Sequence, residues 1–388
     1  MQYSLPYIYL VIFFLIISLL QLGLPFDEKS KRYLNGTAVI IYILFFGFRG
    51  FIGWDWSNYY PFFKEIPTLW NLKLIDYSYE SGYVFFTSFV KTVYPDYHFY
   101  VFVNTLIDVA LLRLFFRRYL PSNLFTFALA TFIVMEGLSV EVNLIRNIKS
   151  ILLFLISLKY IENRNLLKFL LLNILGVLFH WSAIFYFPLY FFLSKKIDLR
   201  IFIFIFILGN LIYLFQFKFV EPLVESISSL LGGKIQVKSD AYLNSKFFNS
   251  TYGISIGYLE RVITSIVIMF YYDKLIEKSK SNILFINSFL IFFVVYFFFS
   301  EMSIIVTRVG ILFFFSYWIL WPQLINITTS SSRFLFFLFF SLYFNLRVVK
   351  MTDNILFRYD NILFDKYQTY DERVKIFDER YGKLQKKK

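Results

Sequence analysis

Cysteine is absent from the 388-residue chain, and histidine occurs only twice, as His98 and His180. Without thiols there are no disulfides, thiol nucleophiles, iron–sulfur clusters or thiolate zinc sites. The two histidines make no HExxH pair, which argues against a zinc hydrolase. Asp-x-Asp is also missing, so nothing suggests a divalent metal holding a nucleotide sugar. Gly232-Gly233-Lys234 lacks the spacing of a phosphate-binding loop. No metal and no cofactor are expected. Basic residues exceed acidic ones, 39 against 26, but lie scattered between apolar stretches. Only Lys386 to Lys388 form a run, so nucleic acid is a poor partner and membrane orientation a better use of the charge.

What the chain has in abundance is apolar surface. Hydrophobic residues make up 58% of it and aromatics 23%, with 54 Phe, 30 Tyr and 6 Trp, and the mean hydropathy is +0.62. Apolar runs recur from Leu5 to Val349, each near the length that crosses a hydrocarbon core of roughly 30 Å. None shows the period-two alternation of a membrane barrel, and an open sheet cannot satisfy its backbone in lipid. The expectation is an all-α polytopic membrane protein with roughly twelve transmembrane helices, some broken or re-entrant. Leu5–Leu24 lacks a basic leader and a small-residue cleavage site and is expected to be a retained span. Residues 1–350 are read as one transmembrane domain. It includes an outer interfacial segment at 51–79 and an extracytoplasmic loop at 218–253. Residues 351–388 are read as a charged tail with no core of its own.

Basic clusters follow the runs at Lys29/Lys31/Arg32, Arg113/Arg117/Arg118, Lys159/Arg164/Lys168, Lys195/Lys196/Arg200 and Lys274/Lys278/Lys280. All can be cytoplasmic if Leu166–Leu193 is a hairpin and Tyr83–Tyr94, which is short and contains Lys91, does not cross. Asp55, Glu80, Arg146, His180 and Glu301 then share the outer face.

Ionisable groups in or at the ends of spans are costly and are site candidates by default. Asn143, Arg146, Asn147 and Ser150 recur at helical spacing where an apolar helix begins. An arginine there offers a rigid fork for phosphate oxygens. Arg308 lies inside an apolar run, seven residues after Glu301, with an intramembrane ion pair as the bland alternative. Glu260 and Arg261 open another run, each needing its own partner. His180 sits in Phe179-His180-Trp181-Ser182, where the long Leu166–Leu193 run is expected to break. Gly47, Gly50 and Gly53 favour ending a helix before Trp54, Asp55, Trp56 and Tyr59, a sugar platform or an interfacial aromatic belt. Glu80 adds a carboxylate at a helix entrance.

Taken in order, these residues form Arg49-x3-Gly53-x-Asp55-x3-Tyr59, then Glu80-x-Gly82-Tyr83, Asn143-x2-Arg146, Phe179-His180-x-Ser182 and a late intramembrane Arg308. The series resembles the EpsG-type branch of the Wzy-like bacterial polysaccharide polymerases, from about Leu34 to Leu363. Trp56 replaces the usual Tyr, Asn147 a Gln and Ser150 an Ala. The resemblance implies a metal-independent membrane glycosyltransferase of GT-C-like architecture in the bacterial inner membrane, with its site facing the periplasm or exterior. It would act on undecaprenyl-diphosphate-linked oligosaccharides as donor and acceptor, for O-antigen, capsule or exopolysaccharide. A chain-length regulator is an implied partner. On this reading Arg146, Arg308, Arg49 and Arg261 bind diphosphate. Asp55, His180 or Glu80 is the base, and Trp54, Trp56, Tyr59 and Asn143 hold sugar. A lipid-linked oligosaccharide flippase, an O-antigen ligase and a lipid-phosphate-sugar transferase are the alternatives.

Overall fold

The structure is a computed structural model that describes residues 2–73, 77–243, 253–364 and 367–381. Among the described residues every regular element is helical. The chain divides into two units, Met1–Tyr190 with Trp321–Lys388, and Phe191–Leu320.

The first unit opens with α1 (Leu5–Gly23) and α2 (Glu28–Tyr42), the latter ending in a π-turn at Ile43–Gly47. Then come α3 (Trp56–Glu65), α4 (Ser81–Val93), α5 (Tyr97–Tyr119), α6 (Phe125–Phe132), α7 (Leu138–Asn143), α8 (Ile145–Glu162), α9 (Leu166–Phe179) and the short α10 (Leu189–Phe192). Side-chain caps start several of these: Asp27 accepts from the Ser30 amide, Asp96 from Phe99 and Asn165 from Lys168. The second unit carries α11 (Leu199–Phe215), α12 (Val220–Leu231), α13 (Gly233–Leu243), α14 (Ile256–Phe270), α15 (Tyr272–Lys278), α16 (Asn282–Phe298) and α17 (Ser303–Gly310). The unit boundaries fall within α10 and within α18 (Phe315–Ile327). The first unit resumes with α19 (Ser330–Thr352) and closes with α20 (Tyr370–Tyr381).

This is a helical polytopic membrane protein. Gln2–Gly23, Tyr97–Tyr119, Ser122–Asn143 and Ser332–Thr352 are long and apolar enough to cross a bilayer. Two bent pairs raise the count to six if each is one span: Leu199–Phe215 with Val220–Leu230, bent by 92°, and Ser303–Phe313 with Phe315–Ile327, bent by 55°. The apolar runs of the sequence also include shorter helices, Leu166–Phe179, Trp181–Phe192 and Asn282–Phe298. The 13 residues of α4 rise about 20 Å at 1.5 Å each, short of the roughly 30 Å core. The segment read as a loop at 218–253 carries two helices, α12 and α13; residues 244–252 lie outside the described residues.

Inside the first unit, buried charges are paired. The Lys149 ammonium meets Asp108 Oδ2 at 2.6 Å between α8 and α5. Glu141 accepts from Tyr42 at 2.9 Å and Thr105 at 2.9 Å, and faces Arg49 at 3.5 Å. Charges taken out of water persist only with such partners. The stretch from α6 to α7 breaks at Met135 and Glu136, the latter at φ 68°. From α19, Arg347 repairs the break, donating to the Val134 carbonyl and to Glu136, each at 2.8 Å.

The tail does not hang free of this unit. Ile362 donates to the Phe48 carbonyl, Gly50 to Asp360 and Gly53 to Leu356, each at 2.9 Å, in antiparallel sense. Tyr370, Val374 and Phe377 of α20 pack on the aromatic cluster around Phe51, Trp56 and Tyr83. A charged composition concealed an amphipathic helix.

In the second unit, Arg261 is boxed by aromatics, 4.0 Å from the Tyr296 ring centroid and 5.3 Å from Phe292, and donates to the Gly257 carbonyl. Glu301 accepts from the Phe219 and Val220 amides at 3.0 and 2.8 Å, capping α12. Arg308, in α17, is exposed. The ion pair that spacing suggested between Glu301 and Arg308 does not form, because the carboxylate is spent on the helix start.

Candidate active site

Four separate stretches of the first unit meet around Arg146. The helix containing it begins at Ile145, because Leu144 turns at ψ 50° and ends α7. Asn143 therefore lies on the far side of a break instead of on the same helical face as Arg146. Its side chain is turned back: Asn143 Oδ1 accepts from the Trp54 amide at 2.6 Å, and its carbonyl accepts from the Tyr59 hydroxyl at 3.1 Å. The close approach is possible because residue 53 is glycine at φ 83°; a Cβ there would stand 2.2 Å from Asn143 Oδ1.

Arg146 donates to Glu80 Oε2, from the residue preceding α4. Glu80 does not cap its own helix. Its other oxygen receives the Trp181 amide at 3.3 Å, just past the break in α9. The guanidinium lies 4.7 Å from the Tyr79 ring centroid and 5.6 Å from Tyr83, a cation–π clamp. Its Nε is buried without a hydrogen-bond partner, while the side chain as a whole is 23% exposed. Burial pushes the Tyr79 phenol up, with Arg146 pulling it back. Tyr59 is pushed up by burial and then by the Asp55 carboxylate, again against Arg146. The Tyr59 ring thus lies within the fields of both charges. Asp55 itself is half-buried at the start of α3, its carbonyl accepting from the Asn58 and Tyr59 amides.

His180 ends α9 in extended conformation, φ −159° and ψ 127°, and a 3₁₀ turn follows at Trp181–Tyr186. The expected break is there. The imidazole Nδ1 lies 2.7 Å from Ser182 Oγ and accepts from the Ser182 amide at 3.2 Å. Ser182 donates in turn to Asn147 Oδ1 at 2.9 Å, and Ser150 to the same oxygen at 3.0 Å. Asn147 and Ser150 thus orient the histidine turn. Gly82 and Gly176 permit close crossings, the first against Leu178, the second against Ala183 and Ser150.

Of the expected residues, the first unit brings together Glu80, Arg146, His180, Asn143, Trp54, Asp55 and Tyr59. Trp54 is 37% exposed, while Trp56 is buried and donates to the Gly53 carbonyl at 2.9 Å. Trp56 supports the turn and offers little face to a sugar. Arg49 also differs from expectation. It is 3% exposed, and its terminal nitrogens are spent on the Phe46 carbonyl, Thr105 and Glu141. It anchors the chain just before Asn143 and presents no free edge to a diphosphate. Arg261 and Arg308 belong to the second unit.

Sequence reasoning missed the buried partners Asp108, Glu141 and Lys149, and the ring clamp of Tyr79. A carboxylate in the middle of the α5 run was a visible signal for the first.

A family model described as the EpsG family matches residues 32–368. No curated protein and no solved structure matches the chain.

Proposed function

Because the chain belongs to the EpsG family, which implies a role in polysaccharide polymerisation, we propose that it is a membrane-embedded glycosyltransferase that builds a bacterial surface glycan. The donor is a growing glycan on undecaprenyl diphosphate, and the acceptor is a sugar hydroxyl of a fresh lipid-linked repeat unit. The bond from the donor's anomeric carbon to the diphosphate breaks as a glycosidic bond to the acceptor oxygen forms. The lipid diphosphate leaves with the electron pair, and the acceptor's proton passes to a protein base.

The observation that carries this reading is Arg146. It is half-buried, held edge-on by Glu80 and flat by Tyr79, and keeps an unpartnered buried donor. A preorganised cation in a partly dry site stabilises charge that builds on a leaving diphosphate. Asp55 is the first choice for the base, followed by His180 and Glu80. Both Glu80 oxygens already carry hydrogen bonds, which favours an aiming role for it. Trp54 offers an exposed face to a sugar, and the buried Tyr59 supports that turn through its bond to the Asn143 carbonyl. The wider reading includes some twelve crossings, reached by counting short apolar helices such as α9 and α16. It also includes a GT-C-like plan, an inner-membrane location with the site on the outer face, and a chain-length-regulating partner.

The test is a glycan ladder. Delete the gene in its host, resolve lipid-linked and surface polysaccharide on a gel, and complement with wild type or Arg146→Ala. Single repeat units in place of a ladder, restored by wild type but not by a normally inserted Arg146→Ala, support polymerase and site together. Accumulation of repeat units on the cytoplasmic side would make the protein a flippase. Long chains stranded on the lipid carrier would make it a ligase. A ladder that returns with Arg146→Ala keeps the function and rejects the site.

A further inference from the structure

The segment that follows α19 is tied to the site's loop by a short relay of hydrogen bonds. Arg373 of α20 is 1% exposed. Its guanidinium donates to the Leu356 carbonyl at 2.8 Å and to Gln368 Oε1 at 3.0 Å. That same Leu356 carbonyl accepts from the Gly53 amide at 2.9 Å. One residue on, the Trp54 amide donates to Asn143, three residues before Arg146. Gly50 is held in parallel by Asp360, whose backbone carbonyl takes its amide and whose Cβ would meet a side chain at residue 50 at 3.2 Å. Rings close the seam: Tyr370 stacks on Tyr60 at 4.2 Å, and Phe377 stands edge-on to Trp54 at 6.1 Å.

A buried guanidinium is expensive unless its donors are spent, and here they are spent on Gln368 Oε1 and on the Leu356 carbonyl that also takes the Gly53 amide. Burial pulls Arg373 down from its ordinary range, and Asp360 pulls it back up. Gly53 has no side chain and a left-handed backbone, so this loop cannot hold its shape through local contacts alone. The tail supplies them. All of α20, Arg373 included, lies beyond the stretch that the family model matches.

We propose that residues 354–364 and 367–381 clamp the site loop, and that Arg373 is a positioning residue acting through the Leu356 carbonyl on Gly53, Trp54 and Asn143. The functional half rests on the polymerase reading; the structural half does not. A second consequence is geometric. The tail and the Arg49–Tyr60 segment lie on one side of the membrane.

Two experiments test this on the full chain in nanodiscs or cells. Hydrogen exchange compares wild type with Arg373→Ala and Arg373→Lys. Loss of a charge-assisted hydrogen bond predicts that amides in residues 51–60 exchange about tenfold faster or more in Arg373→Ala. Arg373→Lys is expected to fall between, and the α6 and α8 amides to stay unchanged. No change at 51–60 overturns the clamp, and so does acceleration spread over the whole chain, which would make Arg373 a general stabiliser. If 51–60 loosens alone and polymerisation falls with it, the positioning role stands. If it loosens alone and polymerisation is untouched, the clamp exists and the loop's place in the reaction is what fails. Second, the chain has no cysteine, so single cysteines at the exposed positions Asn58 and Lys375 can be labelled with an impermeant thiol reagent. Labelling of both from the same side is expected. Labelling from opposite sides overturns the proposal.

Discussion

Gly53→Ala is the substitution that separates a site built on this loop from one that merely borders it. The glycine sits at φ 83°, and an added Cβ would stand 2.2 Å from Asn143 Oδ1 and 2.7 Å from Val142 Cγ1. Left-handed backbone costs an L-residue about 1–2 kcal/mol. The clash cannot be relieved without moving Asn143, which strands the Trp54 amide, another ~1–3 kcal/mol. The sum, about 2–5 kcal/mol, falls on the active arrangement of the loop. At 1.36 kcal/mol per decade it predicts a rate loss from roughly thirtyfold to several thousandfold. Gly232→Ala is the control. That glycine also has positive φ, 62°, but nothing lies within 4 Å of its Cβ position, so it meets only the backbone cost. The assay is polymerisation of lipid-linked repeat units by purified protein in vesicles, with thermal unfolding measured alongside. A Gly53→Ala protein that polymerises as fast as Gly232→Ala would refute the reasoning, because the Trp54–Asn143 bond would then be irrelevant to the reaction.

Glu80→Gln removes the charge that aims Arg146; hydrogen bonds to charged groups are worth about 1.5–3 kcal/mol, so polymerisation should fall roughly 10- to 100-fold while insertion is normal. An unchanged rate would show that Glu80 neither aims the arginine nor takes the proton. Lys149→Met strands the buried Asp108 and should lower stability by about 3–5 kcal/mol. Adding Asp108→Leu should recover most of it in thermal unfolding, and a double variant no better than the single would contradict the pairing. Glu372 accepts from the Thr369 amide and hydroxyl at 2.8 and 3.0 Å, and these bonds hold its carboxyl below the usual range. A depressed folded-state value stabilises α20 above the ordinary glutamate range near 4.3 and loses that contribution as pH falls through the folded value. Protection of α20 amides should therefore drop on acidification in wild type. It should not change with pH in Glu372→Gln, whose amide oxygen still accepts but does not titrate; equal profiles in the two would reject the cap.

Much of the candidate site's geometry was legible because its cues are local. The start of α8 at Arg146 and the break at His180 follow from where apolar periodicity stops and polar residues cluster. Asn143 was assigned to the helical face of Arg146 by spacing, and spacing cannot see that Leu144 leaves the helix. Pairing was the harder matter. Glu80 and Arg146 are 66 positions apart, and Asp108 and Lys149 are 41 apart. A hydropathy pattern treats each as an isolated cost. Glu301 and Arg308 show the converse: correct spacing for an ion pair, cancelled by amides of α12 that needed an acceptor more. Arg49 was read as a phosphate ligand because it is a charge at a span's end. Two of its partners lie 56 and 92 positions downstream. Span number is read less directly from the sequence, for a physical reason too. Phe and Tyr make short helices and interfacial turns as apolar as true crossings.

The tail's seam also sets a timetable. Tyr7 bonds the Phe357 carbonyl across 350 positions, and Tyr359 bonds the Phe45 carbonyl across 314. Contacts this distant close late, because loop entropy is lost before any contact repays it. At 5–20 residues per second, a ribosome delivers the Asp360 region roughly 15–60 s after the Gly50 turn it joins. During that interval the Gly50 and Gly53 amides have no tail carbonyls to meet. The loop that carries Trp54 and Asp55 takes its shape only when the two distant stretches are knit together, so insertion into the membrane precedes the competence of the site.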